Sequence, residues 1–374
     1  MTSLRIFTIR FFILLNIIAG VLFLLTCCNA FLHPDKWWFI SLLAFFFPLF
    51  LILLLVFLFI WLFLRKRYVI ISLLCLLAGW KNIHAFFGFS LAKHDLSYKD
   101  SSNIRILTWN VRSWDEFTTK KLDASGHRLP MLKLVEKQQA DILCFQEFFE
   151  PADTAKSNIR YIQRELKFPY YYFSRDFRFR VNKYELGVII FSKYPIINTY
   201  QTRFSADTNI RTESLIAADI DVHHSIIRVY TTHLQSVLFK AKDFRNVEII
   251  RNAEDSMLQA SKSLAKKLKG ALGLRGYQAD TVRRQLDACT LPYIICGDFN
   301  DVPNSYTYFH IRGNLQDAFI AKSFGIGRSY IHISPTLRID YILPSMQFKI
   351  IQTMKLASPY SDHHAVITDL QLQE

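Results

Sequence analysis

Leu291-Pro292-Tyr293-Ile294-Ile295-Cys296-Gly297-Asp298-Phe299-Asn300-Asp301 is a short apolar run that delivers an acid, an amide and a second acid to its carboxyl end. A Gly-Asp turn with an asparagine can serve simply as an Asx-type loop. Two carboxylates that close together, however, repel one another unless a cation, a metal-bound phosphate or a proton lies between them. The rest of the chain decides between these readings.

Working outward, six further apolar runs of strand type follow from Asn103 onward: Ile104–Thr108, Ile142–Phe145, Leu186–Phe191, Ile226–Thr231, Arg338–Leu343 and Ala365–Leu370. Their length and their Val, Ile, Tyr and Thr content fit buried strands. Leu129–Gln139 predicts a helix. Val237–Ala288 is helix-rich, with Ile249, Met257, Leu264 and Leu268 at helical spacing and Gly270, Gly273 and Gly276 expected to break it near the middle. Strands interleaved with helices predict two sheets packed face to face with helices outside. The strand ends repeat one pattern: Thr108-Trp109-Asn110-Val111-Arg112, Gln146-Glu147, Thr231-Thr232-His233, Asp298 with Asn300, Asp340, and Ser361-Asp362-His363-His364 ahead of the last run. Polar groups at the ends of strands in shared sheets converge on one rim, where ligand sites form.

This order of motifs resembles the endonuclease/exonuclease/phosphatase superfamily, whose members are like DNase I, apurinic endonucleases, neutral sphingomyelinases and inositol-phosphate phosphatases. The resemblance runs from about Ile104 to the carboxyl terminus. It implies a DNase I-like, four-layer α/β sandwich and metal-dependent cleavage of phosphate esters. Residue by residue, Glu147 resembles the main carboxylate ligand of a divalent cation and Asn110 the amide beside metal and phosphate, with Asp362 adding to the metal site. Magnesium suits such a site, since it takes few protein ligands and keeps several waters; manganese is the alternative. Asp298 resembles the residue that orients or deprotonates the attacking water, and Asn300 a donor to a phosphoryl oxygen. His363 resembles the histidine on the scissile phosphate, with Asp340 fixing its tautomer and keeping it cationic. His233 matches a second family histidine near a leaving or phosphoryl oxygen. Either Asp298 or His363 can take the nucleophile's proton, and His364 reads as structural.

The remaining character of the chain is uneven. Of 374 residues with a net charge of +14, roughly the first ninety are almost continuously apolar and the other ~270 suffice for one large core or two small ones. Phe11–Phe31 and Trp37–Leu64 each span a bilayer by length, and Tyr68–Phe89 is a third stretch interrupted by Lys81, Asn82 and His84. Residues 1–92 are thus expected to form an anchor of about three transmembrane helices, and 100–374 the catalytic domain. Arg5, Arg10 and the cluster Arg65-Lys66-Arg67 flank the first pair of spans, while Asp35 and Lys36 cancel in the first loop. The positive-inside tendency then puts the amino terminus in the cytoplasm and, with the three spans of an inner or plasma membrane expected here, the polar domain outside it; were the Lys81-bearing third stretch to lie along the interface instead, the polar domain would be cytoplasmic. None of the six cysteines forms a CxxC pair of zinc or redox spacing in the polar part.

A basic balance favours anionic partners, and the Val237–Ala288 insert adds Lys262, Lys266, Lys267, Lys269, Arg275, Arg283 and Arg284. Such a face is suited to a nucleic-acid backbone, to anionic lipid or simply to water. The expected substrate is a phosphodiester, in nucleic acid first and in a phospholipid headgroup, sphingomyelinase-like, as the alternative. A catalytically silent binding domain is the reading from another class, and no protein partner is implied. Tyr170-Tyr171-Tyr172 is expected to pack in the core, with a rim contact possible.

Overall fold

The computed structural model describes residues 3–92, 99–115, 127–179, 183–205, 213–237, 241–252 and 256–373. The chain divides into two compact units, residues 1–87 with 237–277 and 302–310, and residues 88–236 with 278–301 and 311–374.

The first unit opens with helices α1 (Ser3–Cys28), α2 (Trp38–Leu43), α3 (Phe47–Leu64), α4 (Val69–Ala78) and α5 (Trp80–Phe86). Two segments, Leu4–Cys28 and Trp38–Leu64, are long and apolar enough to cross a membrane. Lys66–Ala78 and Trp80–Phe86 meet at 63° and qualify only as one bent pair. Small and polar residues join α1 to α4: a Cβ on Gly20 would stand 2.8 Å from the Cys75 sulfur, and Ser72 Oγ donates to Asn16 Oδ1 at 3.0 Å. In an apolar surround, where lipid gives helices no hydrophobic reason to associate, close backbone approach and buried hydrogen bonds of this kind supply the packing.

The second unit carries the sheets. Its strands are β1 (Gly88–Phe89), β2 (Ile104–Asn110), β3 (Ile142–Pro151), β4 (Tyr170–Phe173), β5 (Phe177–Phe179), β6 (Tyr184–Ser192), β7 (Ile196–Thr202), β8 (Leu215–Val222), β9 (Ser225–His233), β10 (Tyr293–Asp298), β11 (Phe324–Gly325), β12 (Asp340–Pro344), β13 (Phe348–Leu356) and β14 (Ala365–Leu372). One sheet runs β13-β14-β2-β3-β6-β4 with β5 beside β6, the other β12-β10-β9-β8-β7, and β1 pairs with β11. Both large sheets mix parallel and antiparallel pairs: β2–β3 and β9–β10 are parallel.

Period-2 alternation explains the packing. Ile104, Ile106, Ile142, Cys144, Val188 and Ile190 of the first sheet meet Ile216, Ala218, Val229, Ile294, Cys296 and Ile342 of the second in one apolar layer. The intervening residues Leu107, Trp109, Leu143, Phe145 and Phe191 turn outward, onto Met131, Leu132 and Val135 of α6 (Arg128–Lys137) and Ile159 and Ile162 of α7 (Asn158–Glu165). Arg105 is the polar member of that outward set. It is fully buried, and its guanidinium grips Asp369 directly across the β2–β14 ladder at 2.6 and 2.8 Å, the bidentate geometry that lets a buried charge be held.

All seven expected strands and the Leu129–Gln139 helix are present within a few residues; β1, β5, β7, β8, β11 and β13 were not anticipated. Two expectations change. Tyr170 and Tyr171 lie on the edge strand β4 and are 39% and 36% exposed, because an edge strand has a neighbour on one side only. The insert holds α8 (Ala241–Arg251) and α9 (Met257–Asp287), and α9 runs unbroken through all three glycines. Each glycine costs a helix about 1 kcal/mol, and at Gly273 and Gly276 the loss is offset by contact within the first unit. A Cβ on Gly276 would lie 2.7 Å from Pro34 Cγ and 2.9 Å from His33 Nε2, and one on Gly273 would lie 3.5 Å from Asp35. Gly273 and Gly276 let the loop after α1 lie against the helix.

Candidate active site

Strand register builds the site. Asp298, the last residue of β10, pairs with His233 of β9 on one side and with Asp340 of β12 on the other, so three functional side chains stand in a row across one sheet. In the facing sheet Asn110 ends β2 opposite Gln146 of β3. The β3–β6 ladder slips between Phe145 and Phe148, and within this bulge Glu147 adopts φ 50°. A bulge re-aims a side chain, here carrying Glu147 to the amide of Asn110.

That amide links the two sheets. Asn110 Nδ2 donates to Glu147 Oε1 at 3.1 Å and to Asp298 Oδ2 at 3.0 Å, while its Oδ1 accepts from the Arg112 backbone N–H at 3.0 Å. Asn300, at φ 53°, donates its backbone N–H to Asp298 Oδ1 at 2.8 Å and its side-chain amide to Leu234 O at 3.0 Å. His363 Nδ1 is 3.0 Å from Asp340 Oδ2, and its Nε2 is 3.7 Å from Asp298 Oδ2. Asp362 lies 3.6 Å from Arg112 Nε. His363 is positioned from behind: Ser361 Oγ accepts from its N–H at 3.1 Å and donates to Asn110 O at 2.9 Å, and Trp109 Nε1 donates to His363 O at 2.9 Å. All eight sequence-derived residues therefore fall in one neighbourhood. His364 lies outside it, with burial and the nearby Lys355 and Arg328 lowering its pKa to about 4, as suits a structural, neutral ring.

Two members were missed. Glu213, fully buried, places Oε2 3.2 Å from His233 Nδ1, whereas His233 Nε2 points to Asp298 at 3.6 Å and Glu147 at 3.9 Å. Its signal was the one used elsewhere, an acid close to an apolar run, here one residue, Ser214, ahead of Leu215–Ala218. Tyr330 comes from a loop and carries no such signal. Its ring centroid lies 5.0 Å from that of His363, and Ser329 beside it accepts from Ile339 and Asp340 N–H groups through Oγ. Burial and the carboxylates of Asp362 and Asp298 push the phenol's pKa up, so it stays a donor.

The electrostatics are those of buried opposite charges. Burial alone would strip His233 and His363 of their protons, but Glu213, Asp298 and Glu147 around the first, and Asp340, Asp298 and Asp362 around the second, hold both at a pKa of about 10. Burial, then the neighbouring Asp340, raises Asp298, against the pull of the two histidines. Burial likewise raises Glu213. Next to Arg112, Ser113, Trp114 and Asp115 all adopt positive φ, 52–62°, a left-handed turn of non-glycine residues that costs energy and that clusters at functional sites.

Five carboxylates (Glu147, Glu213, Asp298, Asp340 and Asp362) face two histidines and one arginine, so negative charge remains for a cation. Asp298, Asp340 and His363 each bring a donor atom within 4.8 Å of the others, close enough to hold an ion. The hard oxygens of Glu147, Asn110 and Asp362 lie beside them, and hard oxygen donors suit a hard divalent cation.

The Endonuclease/Exonuclease/phosphatase family profile matches residues 107–363, well over half of the chain. The chain belongs to the endonuclease/exonuclease/phosphatase family. It is therefore a hydrolase of a metal-dependent phosphoesterase superfamily, with the DNase I-like α/β fold. Residues 9–86 match a domain of unknown function. Among solved structures, a family member from Beutenbergia cavernae superposes with a TM-score of 0.50 at 16% identity, covering 72% of this chain and 72% of its own. The human nocturnin catalytic domain, solved with a bound sulfate anion, gives 0.50 at 17% identity over 74% and 97%. A family protein from Leptotrichia buccalis gives 0.50 at 16% over 72% and 100%. At these identities the likeness speaks for the fold. No curated protein matches the chain.

Proposed function

We propose that this family member hydrolyses phosphodiester bonds by in-line attack of water at the Asn110–Glu147–Asp298 centre, with nucleic acid as its first substrate. The observation that carries the reading is the Asn110 amide bridging Glu147 of one sheet and Asp298 of the other, with His233 and His363 directed at the same Asp298 oxygen, Oδ2, at 3.6 and 3.7 Å. Glu147, with Asn110 and Asp362 beside it, would hold Mg²⁺ or Mn²⁺; bound there, the ion supplies a Lewis acid for the phosphoryl oxygens. Asp298 orients the water and accepts its proton, and His363, kept cationic by Asp340, offers Nε2–H to the phosphoryl group as charge develops. His233, held by Glu213, serves a phosphoryl or leaving oxygen, and Asn300 steadies Asp298 and the phosphate. A silent binding domain has no need of this whole set.

A phospholipid phosphodiester is the second reading, favoured by the membrane-length helices, since tethering concentrates a site at the lipid surface. The anchor reading also sets the side. Tyr277 of α9 donates to Asp35 at 2.8 Å, and Lys269 sits 5.1 Å from the Trp38 ring. These contacts support placing α9 on the side of the first loop, which the positive-inside tendency assigns outside the cytoplasm. The chain must then cross back after Arg67, and the bent pair α4–α5, packed on α1, is the segment available for it.

The test is hydrolysis by the full chain in detergent, with Mg²⁺ or EDTA, of plasmid DNA, sphingomyelin vesicles and bis-p-nitrophenyl phosphate. Asp298→Ala is the blank. EDTA-sensitive DNA nicking absent from the blank is the expected result. Cleavage of lipid alone selects the second reading, and a folded protein that turns over none of the three sinks both.

A further inference from the structure

The charged stripe of α9 is not explained by the catalytic centre. From Met257 to Tyr277 the helix carries Lys262, Lys266, Lys267, Lys269 and Arg275 and no Asp or Glu. Two of the five are used internally: Lys267 pairs with Asp243 of α8, and Arg275 is fully buried. Lys262, Lys266 and Lys269 are exposed, and their spacing of four and three residues puts them on one face. Among the described residues no carboxylate pairs with them. Leu258, 66% exposed, lies on the same face.

Contacts inside the first unit fix where this face stands. Lys269 lies against the ring of Trp38, the first residue of the candidate span Trp38–Leu64. Tyr277 reaches Asp35, and its ring lies tilted at 4.8 Å from that of His33, in the loop between the two long apolar segments. A tryptophan that opens a span belongs at the headgroup level. A helix clamped to it therefore lies in the interfacial layer, where lysines meet lipid phosphates and exposed leucines meet the acyl boundary.

We propose that the Leu258–Lys262–Lys266–Lys269 face of α9 docks on anionic phospholipid headgroups of the membrane that carries the chain. The proposal rests on the anchor reading above and is independent of the substrate. Juxtamembrane lysines gain from anionic lipid and lose that gain in salt.

The experiment is amide hydrogen exchange on the full chain in nanodiscs of phosphatidylcholine alone or with one third phosphatidylglycerol. Phosphatidylglycerol is expected to slow exchange in Met257–Tyr277 at least fivefold. The effect is expected to vanish in 0.5 M NaCl and in the triple variant K262Q/K266Q/K269Q, whose β10 exchange stays unchanged as proof of folding. Equal exchange in the two lipids, with the chain retained in the disc, overturns the docking face alone. A chain that stays soluble without disc or detergent overturns the anchor and the face together. Protection by a DNA oligonucleotide but not by phosphatidylglycerol overturns it in favour of a nucleic-acid surface.

Discussion

Glu213 Oε2 stands 3.2 Å from His233 Nδ1, with both groups buried and the opposite ring nitrogen aimed at Asp298. The carboxylate fixes which nitrogen faces the reacting centre and, with Asp298 and Glu147, keeps the ring charged against the cost of its burial. Glu213→Gln keeps the shape and removes the charge. The His233 pKa is expected to fall from about 10 toward its ordinary value, with turnover down about 10–100-fold. An NMR titration of the ring that stays at the wild-type value would remove Glu213 from this role.

Glu147 and His363 are expected to separate metal binding from phosphate contact. Glu147→Ala should fold normally and lose Mg²⁺-dependent turnover, with calorimetry showing weakened Mg²⁺ binding. His363→Ala should keep the ion and lose on the order of 10²–10³-fold in turnover. Full activity in the first variant, or a change of a few-fold in the second, contradicts the assignment.

Asn300 combines a side-chain role with a left-handed backbone, φ 53°. Glycine adopts that conformation freely and alanine does not. Both Asn300→Gly and Asn300→Ala should be nearly inactive, but the alanine variant should be the less stable by about 1 kcal/mol. Urea unfolding in the reverse order would show that the backbone conformation is not strained.

Both site histidines have folded pKa values of about 10 against an ordinary 6.5. A raised folded pKa contributes stability that is fully present below the unfolded value and is lost as pH rises through the folded one. The metal-free protein should therefore lose thermal stability steadily between about pH 6.5 and 10. In EDTA, a melting temperature that is flat or rising across this window would contradict the buried ion pairs.

The α9 glycines give a paired test within the first unit. Nothing lies within 4 Å of a Cβ built on Gly270, so Gly270→Ala should stabilise by roughly 0.5–1 kcal/mol through helix propensity. Gly276→Ala meets Pro34 and His33 below 3 Å and should destabilise by about 1–3 kcal/mol. Melting of the two variants in detergent reads the difference.

Much of the candidate site was legible because each of its acids, amides and histidines lies within about three residues of an apolar run, and burial of the run dictates where its end must lie. Glu213 obeys the same rule but was passed over with its strand, β8. Tyr330 could not be read at all. Its place depends on Ser329 accepting from the Asp340 N–H and on Ile331 N–H bonding Asp362 O at 2.9 Å, tertiary contacts without a local pattern. The glycines misled for a related reason: propensity counts their local cost, whereas the benefit of Gly273 and Gly276 is contact with a loop more than two hundred residues earlier.

Behind the reacting face, the buried Gln146 amide donates to Thr108 Oγ1 of one sheet and Thr231 Oγ1 of the other, each at 3.0 Å. Asn110 and Glu147 ride on the first sheet, and His233, Asp298 and Asp340 on the second. Sliding the sheets would open or pinch the cleft between them, and this amide is a spacer against that movement. The width of that cleft is thus gauged in the interior, by a residue set behind the side chains that line it.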